Sequence, residues 1–495
     1  MADHAGGLVP AGILFGAVVT ATAEGGFNGP GQPENQWWSW ERTGRVPPAG
    51  LGADVWEHPE AALDRAAGAG CEVLVLPLEW ARVEPSPDGV DTDALARYAR
   101  TMAGCAERGM VPVATLHDLA HPEWLGAEFW LTPGSPDRFA RHAARVAQAL
   151  GGACRDWVTV LRPNLAALAG WVGGHVPPGR VLAASDAWAV LDNLCTAHVL
   201  AYDAIHRLQD DAVVSMGLSA PGPYDWHRLP ADLMAAPVRG VDRRDVDSWV
   251  DSLRRAHDAE LVPASMADLA TRRLAAALSP YGRAGPGPAG RLRGRQARAT
   301  PRRLLDVVYD RPATAPMDGL AIVWSPGSSA RAARPDLAAR TSPTSSTART
   351  ARTARTAPWD APADIDGLVE WCRALASAGG GVPVWIQASL PMPPGCGARP
   401  DGWDRPSYLR ALVAATVDAA RAGTPVAGLC YRDLGGPAEP GRAGAATGLF
   451  AVTPEPGAGV AWQLVDSSGA ASGEAFGRLV AQVRSGVRLA PPQRT

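Results

Sequence analysis

Eight short apolar runs alternate with helix-length segments, and this alternation restricts the chain to very few folds. The runs lie at residues 13–18, 73–76, 111–115, 157–160, 213–218, 319–323, 384–386 and 426–429. They are near-continuously hydrophobic, as strands covered on both faces of a parallel sheet must be. Helical patterning occupies 59–68, 92–108, 136–150, 188–208, 364–376, 407–422 and 474–485. In 92–108, for example, Ala94, Leu95, Tyr98, Met102 and Cys105 make one apolar stripe. Repeated strand–helix units predict an α/β chain forming a single (β/α)8 TIM barrel over about residues 10–487. Two stretches interrupt the pattern. Residues 283–303 are rich in Gly, Pro and Arg, and 338–358 repeat Thr-Ala-Arg. Neither offers an apolar face, so both are read as solvated loop insertions.

Charge and cysteine content narrow the function classes. The formal net charge is −3 with a pI near 6.4, which calls for neither nucleic acid nor an acidic membrane surface. All 47 basic side chains other than histidine are arginine. The seven cysteines form no Cys-x-x-Cys pair, so a disulfide framework or zinc ribbon is not expected, and they are read as buried small residues. Residues 8–23 end in Ala21-Thr22-Ala23, which looks like a signal cleavage site. The preceding stretch carries Asp3 and no Arg, so the segment is read instead as a first buried strand. No apolar run is long enough to span a membrane, and a cytoplasmic protein is expected.

In such a barrel, chemistry belongs at the carboxyl ends of the strands. Thr20–Gly26 follow the first run and Leu78–Pro85 the second; Thr115–Leu125 carry the end of the third into its loop, and Trp157–Asn164 do so for the fourth. With Gly26–Gly31, Trp37 and Trp38 in the first loop, this order resembles glycoside hydrolase family 1, the β-glucosidase family, from about residue 13 to 453. The resemblance implies a barrel that hydrolyses O-glycosyl bonds with two glutamates, an acid/base and a nucleophile.

This chain departs from the resemblance where the chemistry should be. The family's acid/base lies in Thr-x-Asn-Glu-Pro; here Leu161 stands at the Asn and Arg162 at the Glu. The nucleophile lies in Ile-Thr-Glu-Asn-Gly; here Ala388 takes the Glu position. The sugar-binding Gln corresponds to Thr22, the sugar-binding His to Asp118, and the strand-two Arg to Val75. Val323-Trp324-Ser325 replaces Asn-Tyr-Tyr. Alanine cannot form a glycosyl ester, and arginine is no acid or base near neutral pH.

The residues expected to line the old cavity are therefore Thr22, Asp118, Trp124, Leu161, Arg162, Trp324 and Ala388. Asp118 and Arg162 end neighbouring strands and are expected to form a charge-assisted pair. Glu24 and Glu79 are read as structural, Glu123 and Asp433 as solvated. Trp80, Trp124, Trp130 and Trp171 are read as core or rim before sugar platforms. His117 and His121 lack a ligand-spaced cluster, so no metal is expected, nor a cofactor. A pseudo-glycosidase with a binding or regulatory role is the expected reading, with a carbohydrate or other small molecule as ligand. Two alternatives remain open: an active retaining β-glycosidase, and an enzyme of different chemistry in the same cavity.

Overall fold

The computed structural model describes residues 12–25, 31, 33–220, 222–260, 266–284, 287–299, 302–324, 363–392, 394–435, 446–455 and 459–489. Eight parallel strands close into a barrel in chain order. They are β1 (Leu14–Val18), β2 (Val73–Pro77), β3 (Val111–Thr115), β4 (Asp156–Leu161), β5 (Val213–Ala220), β6 (Gly319–Trp324), β7 (Val384–Ala388) and β8 (Val426–Arg432). The ring closes where Val18 faces Arg432 across β1 and β8. The segment that resembled a signal peptide thus supplies the first barrel strand.

Several strands run past the apolar runs at their carboxyl ends. The backbone ladder continues there, pairing Trp324 with Ala388 and Ala388 with Tyr431. Hydropathy stops earlier because the last rungs carry polar mouth residues, Gln387 and Arg432 among them.

The interior has its own small apolar core of Val18, Val73, Val75, Val113, Val158, Leu161, Ala321, Val323 and Cys430. Val75 is buried in it, where an arginine would have needed a partner. Leu161 leans over Gly217, where an added Cβ would stand 2.2 Å from its Cδ1. A larger core fills the space between strands and helices, as ridges of the outer ring pack on the sheet. The helices start where side chains cap them. Asp91 accepts from the Ala94 amide, Asp364 from Gly367 and Asp404 from Ser407. The expected helices lie within about a turn of the observed ones, for instance Ile365–Ala378 and Arg405–Arg421.

Three expectations need correction. Residues 283–303 are not all loop, because Pro288–Ala299 is a helix. Proline suits a first helical turn, and the Arg, Leu, Gln and Ala that follow are good helix formers. Arg293 also anchors the segment to the Ala276 carbonyl and Asp251. This helix belongs to an excursion between β5 and β6 that the strand–helix alternation did not reveal. It includes Tyr224–His227, Leu229–Ala235, Val246–Glu260, Met266–Leu278 and Arg303–Tyr309. Second, Cys396 is exposed between Gly395 and Gly397, whereas the other six cysteines are buried and all seven are free. Third, Asp433 is buried and accepts a hydrogen bond from Thr447 Oγ1, so it is not solvated. Residues 338–358 lie outside the described residues. No described helix is long and apolar enough to cross a membrane.

Candidate functional site at the barrel mouth

The carboxyl ends of β3, β4, β7 and β8 meet around one carboxylate. Arg162 Nε and Nη2 donate to the two oxygens of Asp118 at 2.9 and 2.8 Å. Arg432 Nη2 donates to Asp118 Oδ2 at 2.7 Å, and its Nη1 donates to Gln387 Oε1 at 3.0 Å. Both arginine side chains are 4% exposed and that of Asp118 is 10% exposed. The Asp118–Arg162 pair expected from strand adjacency is present, with bidentate fork geometry.

Arg162 is positioned by backbone as well as side chain. Its φ of +60° is left-handed, a region that non-glycine residues rarely enter. The conformation is held from both sides. The Arg162 amide donates to the Gly217 carbonyl at 2.9 Å, and its own carbonyl accepts from Ala166 at 3.0 Å. Strain retained at the carboxyl end of a barrel strand is the kind that accompanies a site.

The other named positions surround this network without joining it. Ala388 ends β7, fully buried, and the indole of Trp324 is buried beside it in the ladder. Thr22 is buried in the turn Ala21–Gly25, and its hydroxyl lies 3.1 Å from that of Thr20. Leu161 points into the interior core. Trp124 is half-buried at the rim. It donates to the Glu84 carbonyl at 2.9 Å, and Arg138 stacks 4.8 Å above its ring. Trp80, Trp130 and Trp171 are buried core residues. Glu123 is half-buried and accepts from Ser39 Oγ.

Sequence reasoning missed Arg432 and Gln387 as partners of this site. The signal was available. Arg432 closes β8, and in a closed barrel its end faces the same mouth as Asp118. Gln387 directly precedes Ala388 in the strand.

Glu24 and Glu79 sit outside the mouth in a buried cluster. Glu79 caps the short helix Trp80–Val83 through the Ala81 amide and accepts from Asn35 Nδ2. Arg82 Nε lies 3.5 Å from Glu24 and its guanidinium stacks on Trp56. Burial pushes the Glu24 carboxyl up to about 7, against the pull of Arg82 and with the charge of Glu79 adding to the rise. Burial also raises Glu79. A carboxyl whose folded value lies above its unfolded value costs stability as pH rises between the two. Glu24 should therefore remove about 2 kcal/mol of stability between pH 5 and pH 7.5. Urea titrations at several pH values should show Glu24→Gln flattening the profile in that window. Parallel profiles for variant and wild type would refute the assignment.

Among the described residues, no group of three or more His, Cys, Asp or Glu side chains could hold a metal ion. The mouth is built to hold a carboxylate between two guanidinium groups. It presents no acid at the β4 end and none at the β7 end.

Comparison with known proteins fits this architecture. The glycosyl hydrolase family 1 model matches residues 6–245. A 6-phospho-β-galactosidase of Streptococcus pneumoniae is 30% identical over 159 residues, covering 32% of this chain and 33% of the relative. β-Glucosidase 2 of Oryza sativa subsp. japonica is 26% identical over 252 residues, covering 46% of this chain and 50% of the relative. The chain thus spans a third to a half of the length of these curated relatives. In structure, the family 1 β-glucosidase of Thermotoga maritima in complex with isofagomine lactam superposes with a TM-score of 0.69. It covers 96% of this chain and 98% of that one at 16% identity. The sequence resemblance was read as far as residue 453, but the family model stops at 245, and beyond that the likeness rests on the barrel itself. Over residues 6–245 the chain is thus similar to glycosyl hydrolase family 1, and across the whole barrel it shares the fold of a family 1 β-glucosidase.

Proposed function

We propose that this barrel is a pseudo-glycosidase, a family 1 scaffold that does not hydrolyse glycosides by the two-glutamate route and has a binding or regulatory role. One observation supports the reading: the guanidinium of Arg162, the residue that the resemblance sets at the acid/base position, is clasped by Asp118. Retaining hydrolysis requires two carboxyl groups about 5–5.5 Å apart. Arg162 and Ala388 supply neither. The ligand class to test first is a carbohydrate or sugar-like small molecule, since the Thermotoga maritima barrel was solved with isofagomine lactam.

The purified chain should not turn over aryl β-glucosides, aryl β-galactosides or a 6-phosphorylated aryl β-galactoside above the buffer rate. Robust turnover that is abolished by changing one acidic residue would overturn the proposal and favour an active β-glycosidase, as the relatives' names do. A thermal-shift screen against sugars, glycosides and small acids would find the ligand. At 100 times its Kd, a ligand adds about 2.7 kcal/mol of stability.

A further inference from the structure

Beside the mouth lies a second cavity, of about 20 Å³. It sits between the helix Gln36–Arg42, the loop after β3, the turn Phe129–Leu131 and the corner at Val176–Pro178. Gln36, His117, His121 and Trp130 line it, at 7, 2, 2 and 5% exposure. These four side chains carry five buried polar atoms with no hydrogen-bond partner. They are Gln36 Oε1, both ring nitrogens of His117, His121 Nδ1 and Trp130 Nε1. Natural folds rarely leave one such atom unsatisfied, and here five belong to residues around a single void.

We propose that this cavity is a binding site for one structural water molecule, which ties the β3 loop to its neighbours. The reasoning is a count of donors and acceptors. His121 Nε2 lies 3.0 Å from the Gly126 carbonyl and must carry the proton, so its Nδ1 is a bare acceptor. Gln36 Nε2 donates to the Leu119 carbonyl at 2.8 Å, which leaves Oε1 as a second acceptor. Trp130 Nε1 is a donor only. Burial pushes His117 down to about 3, so its ring is neutral and offers one N–H and one lone pair.

Two acceptors, one donor and one ring able to supply either role complement a molecule that donates two hydrogen bonds and accepts two. An anion would face bare lone pairs, and a metal cation would face the indole N–H. The size agrees. One water needs roughly 10–15 Å³ of such space, and a sugar ring needs many times more. The water would hold His117 and His121 on either side of Asp118, and so fix the loop that presents the carboxylate to Arg162 and Arg432.

A crystal structure of the full chain at about 1.5 Å or better tests this. The expected result is one solvent peak in the cavity within hydrogen-bond range of at least three of the four side chains, without anomalous signal. His121→Phe should fill part of the space and remove that peak. Oxygen-17 relaxation dispersion should then count one long-lived water fewer in the variant. An empty wild-type cavity, a peak with fewer than three of these contacts, an anomalous metal signal or an unchanged water count would each overturn the proposal.

Discussion

Asp118→Ala is expected to destabilise the folded chain by about 3–5 kcal/mol in urea unfolding, the loss that follows when one partner of a buried ion pair is removed. The size follows from what the carboxylate does. It accepts from Arg162 twice and from Arg432 once, and both guanidinium groups are almost wholly out of water. Without Asp118, both guanidinium groups lose that acceptor in a setting where water cannot easily replace it. Asp118→Asn keeps the shape and one acceptor oxygen but loses the charge, so it should fall between wild type and alanine. The midpoint should move with an unchanged denaturant slope if only stability is altered. A loss below about 1 kcal/mol for alanine, the range of exposed ion pairs, would show that the network is solvated and is not a plug.

How much of this was legible in the sequence depends on which physical signal each part leaves. The barrel was legible because strands buried on both faces must be continuous apolar runs, as Val384–Ile386 and Val426–Leu429 are. The Asp118–Arg162 contact was legible because consecutive parallel strands in a barrel are neighbours, which brings their ends together. Arg432 was not assigned to the site because β8 is not a neighbour of β3 or β4 in the ring, so the strand adjacency that paired Asp118 with Arg162 does not reach it; only the closed mouth brings it there. The helix Pro288–Ala299 was hidden by composition. Gly and Pro at its start read as loop, while its anchoring by Asp251 and the Ala276 carbonyl is tertiary. Asp433 was misread for a related reason, since its burial depends on Thr447, fourteen residues away across a Gly/Pro-rich stretch.

Restoring the two glutamates should leave the protein nearly inactive, by roughly three orders of magnitude or more against a working family 1 site. Arg162→Glu places a carboxyl where the guanidinium now meets Asp118, so two acids would share one buried corner beside Arg432. Like charges at that range raise at least one pKa and make the pair costly to ionise. Ala388→Glu inserts a longer, ionisable side chain at a fully buried rung between Trp324 and Tyr431. A nucleophile there must be charged, and Val75 offers no cation to keep it so. Thr22 and Asp118 stand where the resemblance puts sugar-binding Gln and His, so the substrate would not be held for attack even with both carboxyls present. Loss of one positioning contact alone can cost roughly 10² in rate. The double variant should therefore show at most trace hydrolysis of an aryl β-glucoside. Adding Thr22→Gln, Val75→Arg and Asp118→His should raise it, because those changes rebuild the subsite and relieve the acidic crowding. Full activity from the double variant alone would show that the sugar subsite survives intact, and that only the two glutamates separate this chain from a working glycosidase.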